Sequence, residues 1–209
     1  MKGISDSLKS NKLLKAGYIR MLQAKEKSEQ FISSIIFTIK SKNVVNVVQK
    51  TFEKSGYSFF FDMGTLLGMV RDGKLLKRDM DIDTGIYIDS KEGKKKFRDL
   101  LTNTGFKHKF IFSVDGIGDV LDTFYFKGIR IDVCYYEKER DRDCCYLFYG
   151  EDGTEKVVRL YNSKIEKVVK FDFLGIRYGN WRVPDKKYKY WEGPSTEKID
   201  NKPHTAKLY

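Results

Sequence analysis

Asp81 and Asp83 stand two residues apart in an apolar stretch, and that spacing can hold a metal ion. In a strand, residues i and i+2 point to the same face, so both carboxylates meet one cleft while Ile82 and Ile86 turn into the core. Two such charges a few ångströms apart repel unless a cation neutralises them. Hard oxygen ligands of this kind suit Mg²⁺ or Mn²⁺. The competing reading is an exposed acidic strand start. Asp79 has the same parity but precedes the expected strand, and it reads equally as an outer partner or a solvated charge.

The acids follow a glycine-rich turn, Gly64-Thr65-Leu66-Leu67-Gly68, and Arg71. A glycine lets backbone approach a phosphate closely, and a helix starting near Thr65 offers free N–H groups and a positive dipole end. The Thr65 hydroxyl could cap that helix or reach a phosphate oxygen. On the helix, positions 64, 68 and 71 share nearly one face; Gly68 would keep it open and Arg71 would pair with a phosphate. Alone, GTxxG is usually just a turn; its place shortly before the acids gives it meaning. A third carboxylate is expected from another element. Asp132 is the candidate, because it interrupts the apolar run Ile129–Cys134, where a lone buried acid would be costly. The alternative is an ion pair with Arg130. Asp122 on the preceding strand is expected to face solvent.

These residues need a scaffold. Apolar residues from Leu8 to Leu22 and from Ile35 to Phe52 recur at helical spacing, predicting basic, amphipathic helices before the site. Tyr57–Met63 reads as a strand, Thr65–Arg71 as a short helix, Asp81–Ile88 as the acidic strand and Lys91–Thr104 as a charged helix. Phe106–Val114 alternates as a strand does. Asp119–Phe126 and Ile129–Tyr136 form a hairpin about Lys127-Gly128, and Glu137–Asp143 a charged loop. Tyr146–Tyr149 with Glu155–Tyr161 suggests a second hairpin about Glu151-Asp152-Gly153, and Lys164–Phe173 with Ile176–Val183 a third. Beyond Pro184 the chain reads as irregular, with a mobile end. The expected class is α+β: a small mixed sheet with helices on one side. The expected division is a basic helical segment over 1–42, a catalytic domain over 43–193 and a tail over 194–209.

The 209 residues carry a net charge of +11, from 40 Lys and Arg against 29 Asp and Glu. That suits a polyanionic partner such as phosphate esters or anionic lipid, and equally a solvated basic surface. The three cysteines, Cys134, Cys144 and Cys145, form no disulfide framework and no zinc spacing, so they read as reduced. No apolar run reaches a membrane span and no signal-peptide core follows the N-terminus, so the expectation is a cytoplasmic chain. The basic N-terminal helix could pack on the core or touch a membrane. His108 and His204 are the two histidines and neither is assigned a catalytic role.

Taken together, Gly64–Gly68, Asp81-Ile82-Asp83 and Asp132 resemble the nucleotidyltransferase superfamily, with its glycine turn, DxD strand and third acid on a later strand. More narrowly, DMGTLLGMVRDGKLLKRDMDIDTGI resembles the LicD/fukutin family, whose members carry a GTLLGxxR segment before an acidic cluster. FLGIRYGNWRVPDKKYKYW is similar to that family's C-terminal segment. The resemblance spans about residues 43–193. Lys77-Arg78-Asp79-Met80 departs from it, where the family often has Trp and more acids, and leaves Asp79 without a transferred role.

The resemblance implies a nucleotidyltransferase-like fold and phosphotransfer to glycans: a CDP-activated alcohol gives its phospho-alcohol to a sugar hydroxyl and CMP is released. Asp81 and Asp83 would hold Mg²⁺ against the diphosphate, and Asp132 would complete the site and help deprotonate the acceptor. Gly64, Thr65, Gly68 and Arg71 would fix phosphates. Lys74 and Lys77 would neutralise the departing CMP, or be surface lysines. Two rivals stay open: a true nucleotidyltransferase acting on protein, RNA or a small molecule, and a non-catalytic basic binding module. Nucleic acid is not an expected partner, since no nucleic-acid motif accompanies the aromatic-lysine run Tyr188–Trp191.

Overall fold

A computed structural model describes residues 12–76, 79–140, 142–151, 154–163, 174–175, 177–185 and 187–208. The chain is α+β. Helix α1 (Lys12–Lys54) leads through β1 (Phe59–Phe61) into α2 (Met63–Arg71), β2 (Asp81–Ile86) and α3 (Lys91–Asn103). Strands β3 (Lys107–Val114), β4 (Gly118–Phe126) and β5 (Ile129–Tyr135) follow. Next come β6 (Glu137–Lys138), β7 (Arg142–Glu151) and β8 (Thr154–Ser163). A 3-10 turn (Tyr190–Glu192), β9 (Thr196–Ile199) and β10 (Pro203–Lys207) end the chain.

The first sheet runs β1-β2-β5-β4-β3-β10 and is mixed: β2 pairs with β5 in parallel, and its other pairs are antiparallel. Period-two alternation divides its two faces. Ile82, Ile86, Phe124, Ile131, Val133 and Tyr135 pack with Phe37, Val44, Val48 and Phe52 of α1 and with Phe97 and Leu101 of α3. The opposite face carries Asp81, Asp83 and Asp132. The second sheet, β6-β7-β8-β9, packs on part of that face, with Cys145 and Leu160 against Cys134 and Tyr136. The β4–β5 hairpin turns at Lys127-Gly128 with φ of 51° and 87°, the positive pair that a two-residue hairpin favours.

Four expectations change. The two N-terminal helices are one continuous helix of 43 residues. Its Tyr18–Lys54 part is long and apolar enough, by length and composition alone, to cross a membrane, although no single apolar run is. The periodic Val44 and Val48 contribute to that apolar character, yet they are core residues. Second, Leu174, Gly175, Arg177 and Tyr178 are helical, so the described part of the expected strand Ile176–Val183, residues 177–183, is not a strand; Ile176, the partner Lys164–Phe173, and Asp152-Gly153 of the other turn lie outside the described residues. Third, the charged loop after β5 holds β6. Fourth, residues expected in a tail form β9 against β8 and β10 against β3. Thr-Glu-Lys-Ile and Pro-His-Thr-Ala-Lys have little apolar pattern; their place comes from open strand edges, which short sequence windows do not record.

Candidate active site

The site begins where β1 ends. Asp62 is the N-cap of α2, accepting from the Met63 amide (2.7 Å), and its own amide donates to the Asp83 carbonyl (3.0 Å). Met63 has φ 45°, a left-handed conformation that costs a non-glycine residue about 1–2 kcal/mol. Such strain persists only where the surroundings over-determine it. Here they do: Asp62 is fully buried, Arg177 Nη1 donates to its Oδ1, and the Tyr136 hydroxyl donates to its Oδ2 (2.6 Å). Burial works against the Arg177 charge, but Asp62 beside it holds the guanidinium pKa well above its ordinary value.

One turn on, buried Thr65 accepts a hydrogen bond from the Asp83 amide (2.9 Å). Its hydroxyl therefore ties α2 to β2. Gly64 lies inside α2, after its cap. A Cβ there would sit 1.5 Å from Asp79 Oδ2, so the space that glycine leaves is filled by a carboxylate of this same chain. At Gly68 a Cβ would meet the Lys74 carbonyl at 2.7 Å and the Leu76 amide at 2.9 Å. The face expected to stay open is covered by the returning loop. Arg71 lines the cleft with its guanidinium on Asp72, Nε to Oδ1 at 2.8 Å and Nη2 to Oδ2 at 3.0 Å. Lys74 is exposed at the rim. Lys77 lies outside the described residues.

Asp79, Asp81 and Asp83 converge: one carboxylate oxygen from each lies within 4.8 Å of the others. Among the described residues no Lys, Arg or His ion-pairs with any of them, and Asp81 Oδ1 is buried without a hydrogen-bond partner. Burial first, and then the neighbouring Asp81, push the Asp79 carboxyl up to about 7. Burial first, followed by Asp81, Asp79, Asp132 and Asp62, pushes Asp83 well above the ordinary carboxylate range. A cluster of hard oxygen donors with an orphaned buried atom could hold a divalent cation.

Asp132 is opposite Asp83 in the parallel register but stands outside the cluster. Its Oδ1 accepts from Thr123 (2.7 Å) and Arg130 Nε (2.9 Å), and its Oδ2 from Arg130 Nη2 (2.7 Å). Burial pushes its carboxyl up; Arg130 and Thr123 work against that. Asp122, expected in solvent, is fully buried on the opposite face of the sheet, paired with Arg98, while His108 Nε2 lies 3.2 Å away outside hydrogen-bonding geometry. His108 thus belongs to a structural network. His204 pairs with Asp115 at the surface. The three cysteines are buried and free.

Around the acids opens a cleft of about 990 Å³. Arg71, Arg130 and Asp132 line it near the cluster, and Phe148, Tyr178, Trp181, Tyr188 and Tyr190 form an aromatic part. Reading from sequence missed Asp62, Thr123, Tyr136 and Arg177. Asp62 carried a signal, an Asp immediately before a helix. Arg177 carried none, being 115 residues away from its partner.

Comparison with known proteins bears on this geometry. A family model described as LicD/FKTN/FKRP, nucleotidyltransferase domain, matches residues 56–178. The ribitol-5-phosphate transferase FKTN of Homo sapiens is 27% identical over 185 residues, covering 78% of this chain and 38% of the relative. Its Mus musculus counterpart is 24% identical over 183 residues, with the same coverage of 78% and 38%. The chain thus spans under two-fifths of the length of these curated relatives. The family match takes in more than half of the chain, with α2, β2, β5 and all their carboxylates, and the chain belongs to the LicD/FKTN/FKRP nucleotidyltransferase-domain family.

Proposed function

We propose that this chain is a metal-dependent transferase that moves a phospho-alcohol, such as phosphocholine, ribitol phosphate or glycerol phosphate, from a CDP-activated donor to a glycan or glycolipid hydroxyl. One observation carries the proposal: in a chain of this family, three carboxylates without a described cationic partner meet at a cleft. Asp81 and Asp83 would hold Mg²⁺ or Mn²⁺, with Asp79 as the third ligand. The ion, when bound, supplies Lewis-acid stabilisation of phosphoryl charge.

The chain's own residues take the remaining tasks. Arg71 and Arg130 line the cleft and are already arranged for planar, bidentate pairing with an oxyanion. A diphosphate can draw either from its aspartate. Lys74 adds charge at the rim. Release of Arg130 would free Asp132 Oδ2 to take the acceptor hydroxyl's proton. The acceptor oxygen then bonds to the phosphorus bearing the alcohol, the bond from that phosphorus to the bridging oxygen breaks, and CMP departs with the electron pair. The aromatic part of the cleft offers flat apolar faces to a base or sugar ring.

The test is a transfer assay with CDP-choline, CDP-ribitol, CDP-glycerol, ATP and CTP, with and without Mg²⁺ or Mn²⁺. Release of CMP with the alcohol phosphate on the acceptor supports the reading. Transfer of label from the nucleotide of ATP or CTP to the acceptor would replace it with nucleotidyl transfer.

A further inference from the structure

The N-terminal two-thirds of α1 has a second apolar face that the domain does not use. Phe31 is 66% exposed and Ile39 70%, and Tyr18, Met21, Ile32 and Ile35 are exposed with them. On a helix turning about 100° per residue, Tyr18, Met21, Ile32, Ile35 and Ile39 fall within about 100° of arc. That arc lies opposite Phe37, Val44 and Val48, which enter the core. Exposed Arg20 and Lys42 border it on one side; exposed Glu29 and Lys40 lie on the other, and Glu29 pairs with Lys25 at 3.9 Å. Over residues 12–54 the sequence has nine Lys and Arg against three Glu.

Three occupants could cover such a face. A membrane span does not fit. The turns from Val44 onward are committed to the domain core, and the free apolar stretch Phe31–Ile39 is about 13 Å long against a hydrocarbon core of about 30 Å. A second copy in register fits poorly. The exposed apolar residues follow heptad spacing, but Lys25 and Ser28 occupy the seam between Met21 and Ile32, so a copy would set lysine against lysine. A lipid surface fits both features. Apolar side chains enter the acyl boundary, Lys25 extends its stem towards the headgroups, and the bordering cations meet anionic lipid. We propose that this face of α1 lies flat on an anionic lipid surface, holding the catalytic domain beside the membrane without crossing it.

Co-sedimentation of the full chain with vesicles tests this. Phosphatidylcholine vesicles with about one-third phosphatidylserine should bind the protein, and pure phosphatidylcholine about tenfold less. The variant Ile32→Ser/Ile35→Ser/Ile39→Ser should lose about tenfold or more in binding while its thermal unfolding stays in place. Arg20→Glu/Lys40→Glu/Lys42→Glu should lose the preference for phosphatidylserine. Absence of binding by the native chain, or equal binding by both variants, overturns the proposal. So does a concentration-dependent dimer in light scattering that the serine variant converts to monomer. Activity on soluble substrates should persist in both variants, so this proposal and the catalytic one fail separately.

Discussion

The first sheet carries an acidic group on each face, buried on one and half-buried on the other, and the two are resolved differently. On the helix-covered face, Asp122 is matched: Arg98 Nε lies 2.6 Å from its Oδ2, His108 Nε2 3.2 Å from its Oδ1, and the Tyr135 hydroxyl also donates to it. Asp119 shares Arg98 (2.6 Å). On the cleft face, Asp79, Asp81 and Asp83 crowd one another and form no ion pair among the described residues, although Arg130, committed to Asp132, lies near enough to feel Asp81. Asp132 stands between these extremes, on the cleft face but held by Arg130. The difference teaches that a buried acid suggests function when its charge is left uncompensated, whereas a count of acids on strands does not.

The sharpest way to break that comparison is to neutralise one acid on each face. Asp83→Asn should reduce transfer by about a thousandfold or more, as loss of a group that stabilises transition-state charge does. Its melting temperature should hold or rise, because the substitution relieves like-charge repulsion. Asp122→Ala should do the opposite. It leaves Arg98 with Asp119 alone among the described residues and the buried Tyr135 hydroxyl without its acceptor, beside a cavity, and should cost about 3–5 kcal/mol, a fall of roughly 10 °C for a domain of this size. Transfer kinetics with circular dichroism melts decide it. Full activity in Asp83→Asn, or an unchanged melt in Asp122→Ala, would erase the distinction between the faces.

Why sequence reading placed some of this correctly and not the rest follows from range. Asp81 and Asp83 share a face because strand parity is local, and the Lys127-Gly128 turn is a two-residue signal. The helix expected over Thr65–Arg71 is equally local, and it starts two residues earlier because Asp62 caps it. What failed needed partners far along the chain. The Asp122 environment depends on Arg98 of α3, and the space at Gly64 depends on where the loop delivers Asp79. Strands β9 and β10 rest on edges left open by β8 and β3. Parity put Asp79 on the right face; only the folded loop brings its carboxylate in.

The two glycines of α2 sharpen the point at smaller amplitude. Gly64→Ala confronts the end of a side chain, which can swing away, so the fold should survive. The displaced carboxylate is Asp79, and Mn²⁺ affinity measured by calorimetry should fall by about tenfold, as when support for a metal ligand is lost. Gly68→Ala confronts backbone at Lys74 and Leu76, which cannot swing, and should lower stability by about 1–3 kcal/mol. Native affinity in Gly64→Ala would remove Asp79 from the metal proposal.

The smallest effect is a pH dependence of opposite sign from the usual carboxylate case. The Asp79 carboxyl is held near 7 in the folded chain, against 3.8 for an ordinary aspartate. Between those values the folded state binds more protons than the unfolded one, so the Asp79 contribution to stability falls as pH rises towards 7. Asp83 acts in the same direction. Well-compensated acids such as Asp119, whose pKa is lowered chiefly by Arg98, contribute the reverse slope and lose stability in acid. The cleft term is isolated by comparison with Asp79→Asn: the metal-free native chain should lose a few degrees more than this variant between pH 5.5 and 7.5. A divalent cation bound by the cluster would replace the protons that the cluster otherwise takes up. Mn²⁺ should therefore raise the native melting temperature more at pH 7.5 than at pH 5.5. A Mn²⁺ shift independent of pH, or equal in Asp79→Asn, would mean that the cleft acids are not where the ion binds.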